Sequence, residues 1–282
     1  MRIAILSNAG PKCGIAEHGL QLYSALQGLG HAVTIHAMDY PNYPHGSLRE
    51  SDVVHLNFYP STIGHIQPQH LPLGPLYSAF FHEVDPKWGP GHEAPKIWSD
   101  DTIVKFSSEP TERSIFWQMP IPDYKPKNSP RGDEIRIGHT GIRGEGLDRL
   151  GPLCEANKWQ LSCSSGWLNL EDEIERLATC HLVVCHSHSA YEGQSSAVLT
   201  AIASRRPVLT NSGKMLKHIN ALNEKSYKGS QLYCIEDMRE GIRTILHDLS
   251  MGLEKRPNFL ASDFSWTRQA RRMVDVWKER LK

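Results

Sequence analysis

His181-Leu-Val-Val-Cys-His-Ser-His-Ser-Ala-Tyr-Glu-Gly-Gln-Ser-Ser-Ala-Val-Leu-Thr-Ala-Ile-Ala-Ser-Arg-Arg-Pro-Val-Leu-Thr-Asn211 is the stretch that decides the fold. Its spacing predicts a strand over His181–Cys185, a polar loop over His186–Gln194, a helix over Ser195–Ser204 and a second strand over Pro207–Leu209. The run Leu-Val-Val-Cys is short and β-branched, as in a parallel strand covered on both faces. Ser195 and Ser196 are natural N-cap residues, and Ala197, Val198, Ala201 and Ile202 form one apolar helical face. A loop that leaves a parallel strand and opens a helix gathers free N–H groups and the positive end of the helix dipole at one spot, which suits a phosphate. Glu192 is the carboxylate of that loop, and Gly193 beside it lets a ligand approach the backbone closely. Any Rossmann-like crossover would share this outline, so the rest of the chain has to be read with it.

At 282 residues the chain is long enough for two domains with separate cores. Lys+Arg and Asp+Glu are equal at 31 each and the mean hydropathy is −0.43, so no bulk charge draws the protein to nucleic acid or acidic membrane. Basic clustering at Arg205–Arg206 and Arg268–Arg272 is modest. No run approaches the roughly 20 apolar residues of a membrane span. Arg2-Ile-Ala-Ile-Leu6 is too short an apolar run for a signal peptide and reads as a first strand. Six cysteines (13, 154, 163, 180, 185, 234) lack any C-x-x-C spacing, which favours reduced thiols and a cytoplasmic setting over disulfides or zinc. His186 and His188 alternate and could meet a metal; a polar loop near a ligand explains them as well.

The chain begins as a strand–glycine loop–helix–strand unit. Residues 3–6 form the strand, Ser7–Gly14 the turn, and Ile15, Leu22, Tyr23, Leu26 and Leu29 one face of a helix that stops at Gly30; Val33-Thr-Ile-His-Ala37 follows. A G-x-G-x-x-G fingerprint is absent, which lowers a nicotinamide-dinucleotide reading of a dehydrogenase or epimerase. Further strands are expected at Asp52–Asn57, Tyr77–Phe81 and Thr102–Ser107. Ligands of open α/β sheets sit beyond the carboxyl ends of strands, so Asn57 and the pair His82-Glu83 are site candidates. Asp85–Ser99, with its prolines and glycines, reads as a helix-free loop.

Four prolines in Met119–Gly132 mark a domain boundary. Beyond it come strand Glu134–His139, a glycine turn carrying Arg143, Glu145 and Gly146, a helix over Leu147–Asn157, and strand Trp159–Cys163 leading to Ser165-Gly166. Helix Leu170–Thr179 is capped by Asn169, and Glu171, Asp172 and Glu173 in its first turn read as capping and solvation. Lys214–Leu222 and Asp237–Leu249 are expected helices, with strand Gln231–Ile235 between them. In the closing helix Trp266, Ala270, Met273, Val274 and Trp277 share one face, a core or interdomain stripe.

Several of these motifs resemble the retaining GT-B glycosyltransferases of the GT4 type (glycosyl transferases group 1). Ser189-Ala-Tyr-Glu-Gly193, with the helix and Ala203–Asn211, looks like that family's donor-sugar loop. Cys13-Gly-Ile-Ala-Glu17 and Leu29-Gly-His-Ala-Val33 look like its opening. His82-Glu83 resembles the His-Asp or His-Glu pair of its amino-terminal domain, and Phe264-Ser-Trp266 the start of its closing helix. The resemblance departs at two places: eight positions after Glu192 the usual second Glu is Thr200, and the usual Lys of the diphosphate grip is Glu145.

The resemblance implies an α/β GT-B fold, two Rossmann-like domains with parallel sheets facing a central cleft. Residues 1–125 would be the acceptor-side domain, 126–133 a linker, 134–264 the nucleotide-sugar-binding domain and 265–282 a helix packing back across the domains. It implies a metal-independent hexosyl- or pentosyltransferase that needs no cofactor beyond its nucleotide-sugar co-substrate. Front-face attack, with the leaving phosphate taking the acceptor proton, requires no pair of catalytic carboxylates. Glu192 and His82 would then be the catalytic residues, Glu192 bonding the donor sugar's hydroxyls and His82 approaching the sugar or the acceptor. Gly14, Arg143, Gly193, Gln194, Ser195, Ser196 and Lys214 would hold the donor diphosphate and sugar. Ser165, Gly166 and Thr200 would meet the nucleotide, with Thr200 offering a hydroxyl toward the ribose; Asn57 and Glu83 would lie on the acceptor side. The acceptor stays open among a saccharide, a metabolite and a modified DNA base of the phage type. The alternative is a catalytically weakened GT-B protein that binds a nucleotide sugar or a partner.

Overall fold

The computed structural model describes residues 1–8, 14–37, 45–59, 66–84, 94–109, 111–140, 146–164, 166, 168–186, 192–193, 195–213, 231–253 and 264–282, with backbone alone at 83–84 and 192–193. The first half runs β1 (Arg2–Ser7), α1 (Gly14–Gly28), β2 (Ala32–Ala37), α2 (His45–Arg49), β3 (Val53–Phe58), β4 (Leu76–Phe81), β5 (Glu83–Val84), α3 (Lys96–Ser99), β6 (Val104–Ser107) and β7 (Ile115–Phe116). Then follow β8 (Arg136–His139), α4 (Leu147–Asn157), β9 (Gln160–Ser162), α5 (Leu170–Ala178), β10 (Leu182–Cys185), β11 (Glu192–Gly193) and α6 (Ser196–Ala203). β12 (Val208–Thr210), β13 (Leu232–Cys234), α7 (Met238–Ser250) and α8 (Trp266–Arg280) complete the order. Two units result: Met1–Met119 with Tyr191–Gly193 and Trp266–Lys282, and Pro120–Ala190 with Gln194–Ser265.

The first unit is a parallel sheet in the order β2-β1-β3-β4-β6-β7. Side chains alternate across a strand, so register sorts them by face. Ala4, Leu6, Val54, Leu56, Phe58, Ala79 and Phe81 fall on one face, where Leu48, Ile97, Trp98 and Ile103 complete an apolar core. The other face carries Ser7, His55, Asn57 and Ser78, all buried. Helices α1 and α8 pack together, and the α1 and α8 residues His18, Trp266 and Trp277 meet side chains of that polar face or its edge. α1 buries His18, Leu22, Ala25 and Leu26 at helical spacing. It ends at Gly30 (φ 82°), where His31 N–H reaches back to Leu26 O at 3.2 Å.

The second unit is a parallel sheet in the order β13-β12-β10-β8-β9. Its core joins Ile137, Leu182, Val184 and Leu209 to Leu150 and Leu153 of α4 and Ile242 and Ile245 of α7. α7 begins at an Asp237 cap (Asp237 Oδ1 accepts from Glu240 N–H at 2.8 Å), and α5 at an Asn169 cap (Asn169 Oδ1 accepts from Asp172 N–H at 2.8 Å). Glu175 of α5 accepts from Tyr124 OH at 2.7 Å and from the backbone N–H groups of Lys127 and Asn128, pinning the proline-rich stretch to this unit.

Two expectations need correction. Asp85–Ser99 is not helix-free: α3 closes it, because Ile97 and Trp98 are drawn into the core. Glu173 is not a solvated cap residue; Arg176, one turn on, pairs with it at 2.6 Å, with both side chains largely buried. The expected helix Lys214–Leu222 lies outside the described residues. Among the described residues no helix is long and apolar enough to cross a membrane.

Three histidines lie at the polar face of the first unit: His55 of β3, His18 of α1, and His82, the residue after β4. His55 donates or accepts at Ser78 Oγ (3.0 Å), and His18 stacks on Phe80 with ring centroids 5.0 Å apart. His18 also meets His82, Trp117 and Trp266 edge-on. Burial pushes His55 and His82 down to about 3, His82 with help from nearby His55. His18 is pushed well below its usual value by burial, then by His82 and His55.

These facts generate two predictions. Trp277 is fully buried, and its indole N–H has no hydrogen-bond partner. Trp277→Ala should therefore cost about 3–5 kcal/mol in urea unfolding. Trp277→Phe should cost clearly less, and Leu281→Ala, at 46% exposure, about 0.5 kcal/mol or less. The second prediction concerns acid. Unfolded histidines bind protons near pH 6.5, whereas His55 and His82 remain neutral until about pH 3 and His18 stays neutral well below its usual value, so the unfolded state holds more protons below pH 6.5. Stability is then fully present above that window and falls by about 1.4 kcal/mol per pH unit per histidine as pH drops through it. His18→Phe, an apolar ring in the same stack, should remove one histidine's share of the slope. An unchanged slope of the urea midpoint against pH would refute that assignment.

Candidate functional site

In the first unit the sheet order reverses between β1 and β3, since β2 lies on one side of β1 and β3 on the other. Such a switch point opens a crevice at the carboxyl ends of the strands. Ser7 ends β1, Asn57 is the penultimate residue of β3, and His82 follows β4. Asn57 Nδ2 donates to Ser7 Oγ at 3.0 Å and to Ile15 O at 2.5 Å, and Asn57 Oδ1 pairs with His82 Nε2. α1 can come this close because residue 19 is glycine: a Cβ there would stand 2.6 Å from Ser7 Oγ. Asn57 and His82, both expected from the sequence, are thus brought into direct contact.

Immediately after His82 the chain forms β5, which pairs antiparallel with β11: Glu192 opposite Val84 and Gly193 opposite Glu83. The expectation of a continuous polar loop over residues 186–194 is corrected here, because Glu192 and Gly193 are held as strand. A two-residue ladder is made by backbone groups, so no side-chain periodicity announces it. It places the backbone of the candidate Glu192 beside the His82-Glu83 segment.

In the second unit the order reverses between β8 and β10, whose ends carry His139 and, just beyond, His186. Gly146 caps α4 with φ 81°, and a Cβ on it would lie 3.5 Å from His186 Cβ. His186 is therefore packed at the strand end rather than set in an open loop; its expected partner His188 lies outside the described residues. Arg176 reaches the same edge, donating to His139 O at 2.8 Å and to Ser162 O at 2.6 Å. Ser195 takes the N-cap position of α6, but its side chain makes no capping bond, contrary to the role expected for it. Thr200 is 8% exposed and its hydroxyl donates to Ser196 O at 2.9 Å. The donor proton expected to face a ribose is spent inside the helix, a back-bond that a mid-helix threonine makes readily.

Of the remaining candidates, Gly14 opens α1, Ser196 opens α6, and Gly166 sits in a bend with open space where a Cβ would be. Arg143, Ser165, Gln194 and Lys214 lie outside the described residues, as does Glu145. Sequence reading passed over Ser7 and His18. The first carries a signal, a polar residue closing a buried strand; His18 sat unremarked at a core position of the α1 pattern. Among the described residues no group of three or more His, Cys, Asp or Glu could hold a metal ion.

No protein-family model matches the chain, and no curated protein sequence does. Solved structures do. An alpha-glucosyltransferase in complex with UDP and a 13-mer DNA containing an HMU base matches with a TM-score of 0.61 and 11% identity, over 99% of this chain and 99% of its own. WaaG, a glycosyltransferase involved in lipopolysaccharide biosynthesis, matches with a TM-score of 0.60 and 15% identity, over 98% and 99%. The catalytic domain of Starch Synthase IV from Arabidopsis thaliana, bound to ADP and acarbose, gives 0.58 and 10%, over 99% of each chain. These neighbours are GT-B glycosyltransferases, and the two Rossmann-like units with parallel sheets are those of the GT-B fold.

Proposed function

We propose that this protein transfers a sugar from a nucleotide-sugar donor to an acceptor hydroxyl, with retention at the anomeric carbon and without a metal. The observation that carries the reading is the β5–β11 ladder, which holds Glu192 in strand conformation against the segment that follows His82. A carboxylate accepts hydrogen bonds from sugar hydroxyls and a neutral imidazole bonds them too, a pair of residue types that suits a carbohydrate better than a flat cofactor. In the transfer, the bond from the anomeric carbon to the diphosphate oxygen breaks and the bond to the acceptor oxygen forms on the same face. The acceptor proton passes to the leaving phosphate. Charge grows on that phosphate, and amides at the start of α6, the uncommitted Ser195 hydroxyl, Gly14 and the cations Arg143 and Lys214 are the groups assigned to it.

The nucleotide would be met by Ser165, Gly166 and Thr200 and the acceptor by Glu83, while Asn57, fully buried and bonded to Ser7, Ile15 and His82, would act through His82. UDP and ADP are the first nucleotides to test, being those named for the fold neighbours. A modified DNA base is the acceptor to test first. One neighbour was solved with such DNA, and Arg268, Arg271 and Arg272 form an exposed basic stripe at the start of α8. The free thiols of Cys154, Cys163, Cys180, Cys185 and Cys234 suit a cytoplasmic setting. A second reading, a weakened protein that binds a nucleotide sugar without turnover, is favoured by the spent hydroxyl of Thr200.

The test is thermal unfolding with UDP-, GDP-, ADP- and dTDP-sugars, wild type beside Glu192→Ala. One donor at about 100 times its Kd should add about 2.7 kcal/mol, a shift of several degrees that Glu192→Ala largely abolishes. Release of free nucleotide with hydroxymethylated DNA, falling steeply with salt, would identify the acceptor. A donor shift without turnover on any acceptor would favour the second reading, and no shift with any donor would sink both.

A further inference from the structure

Asn57 has less freedom than a buried amide usually has. One end of its side chain lies 2.5 Å from Ile15 O, and a carbonyl oxygen can only accept. That end is therefore the nitrogen, whichever way an amide might otherwise be turned. Its second proton goes to Ser7 Oγ at 3.0 Å. Oδ1 is then left facing Nε2 of His82, and an amide oxygen also only accepts. The ring proton has to be on Nε2.

We infer that Asn57 is a positioning residue that holds His82 as its Nε2–H tautomer, so that Nδ1 is the ring atom left to accept a hydrogen bond from a substrate hydroxyl. The tautomer follows from the hydrogen bonds alone; the identity of the hydroxyl rests on the sugar-transfer reading. The rest of His82 is fixed as well. Its N–H donates to Phe58 O at 3.4 Å, and its carbonyl accepts from Ser108 Oγ at 2.8 Å. Burial keeps the ring neutral, with its pKa near 3, so Nδ1 retains its lone pair at neutral pH. The chemical consequence is selectivity: an O–H is received at this point, whereas a carboxylate, phosphate or ether oxygen meets a lone pair with no proton between them.

The experiment is the imidazole 15N spectrum of the full chain at pH 7.5, with His82 assigned by the signal lost in His82→Gln. A protonated Nε2 and a bare Nδ1 are expected, and a donor from the panel, UDP-glucose first, should move the Nδ1 resonance. A proton on Nδ1 in the wild type overturns the inference with no variant needed. Asn57→Ala should give mixed tautomers and lower kcat by about tenfold or more with KM little changed. A folded Asn57→Ala with the wild-type tautomer overturns the role of Asn57. A donor that raises Tm but leaves Nδ1 unmoved overturns the hydroxyl contact. If no sugar nucleotide raises Tm, the substrate half falls together with the sugar-transfer reading, while the tautomer assignment stands on the spectrum.

Discussion

The Asn57 amide has two donors and an acceptor to satisfy at the carboxyl end of a central strand, where its residue is fully buried. An unmet obligation there costs about 1–3 kcal/mol. Its three partners come from the end of β1, the first turn of α1 and the residue after β4. Meeting all three fixes several things together. α1 must lie close enough for the Ile15 carbonyl to be reached, which Gly19 permits, and β1, β3 and β4 must keep the register that brings Ser7 and His82 to the same end. Moving any one element would leave an orphan on another.

The same constraint explains why the two faces of this sheet are covered differently. The face bearing Leu56, Phe58 and Phe81 is an ordinary apolar core built from nearby segments. The face bearing His55, Asn57 and Ser78 excludes water as completely, and two aromatic residues that meet its histidines, Trp266 and Trp277, come from the chain's last helix. His18 stacks on Phe80 among aromatic edges. A neutral imidazole tolerates that position as an aromatic ring would; a protonated one would not.

Much of this was legible in the sequence because strand cores and helix faces write themselves in periodicity. The runs at Ile3–Leu6, Val53–Asn57 and Leu182–Cys185, the Asn169 cap and the Gly30 stop all follow from local chemistry. Asn57 and His82 could be nominated from strand ends alone. Their mutual contact could not, since they come from different strands and meet through register. The β11 segment was hidden for another reason: backbone pairing of two residues leaves no pattern in side chains. Glu173 misled because a first-turn acid looks the same whether it faces water or Arg176.

On the proposed reading, the donor grip would differ from that of the family the sequence resembles. A carboxylate at residue 200 could receive both hydroxyls of a ribose, whereas Thr200 has its only proton bound to Ser196 O and retains only acceptor capacity. The burden then shifts toward groups whose placement does not depend on a second acid. Ser195 is free of capping, and Glu192, three residues earlier, has its backbone fixed by β5 rather than left to a loop. A side chain on a paired strand pays less conformational entropy to meet a ligand than one on an open loop. With one acid fewer, a rigid backbone under the remaining one is the compensation that this arrangement makes physically sensible.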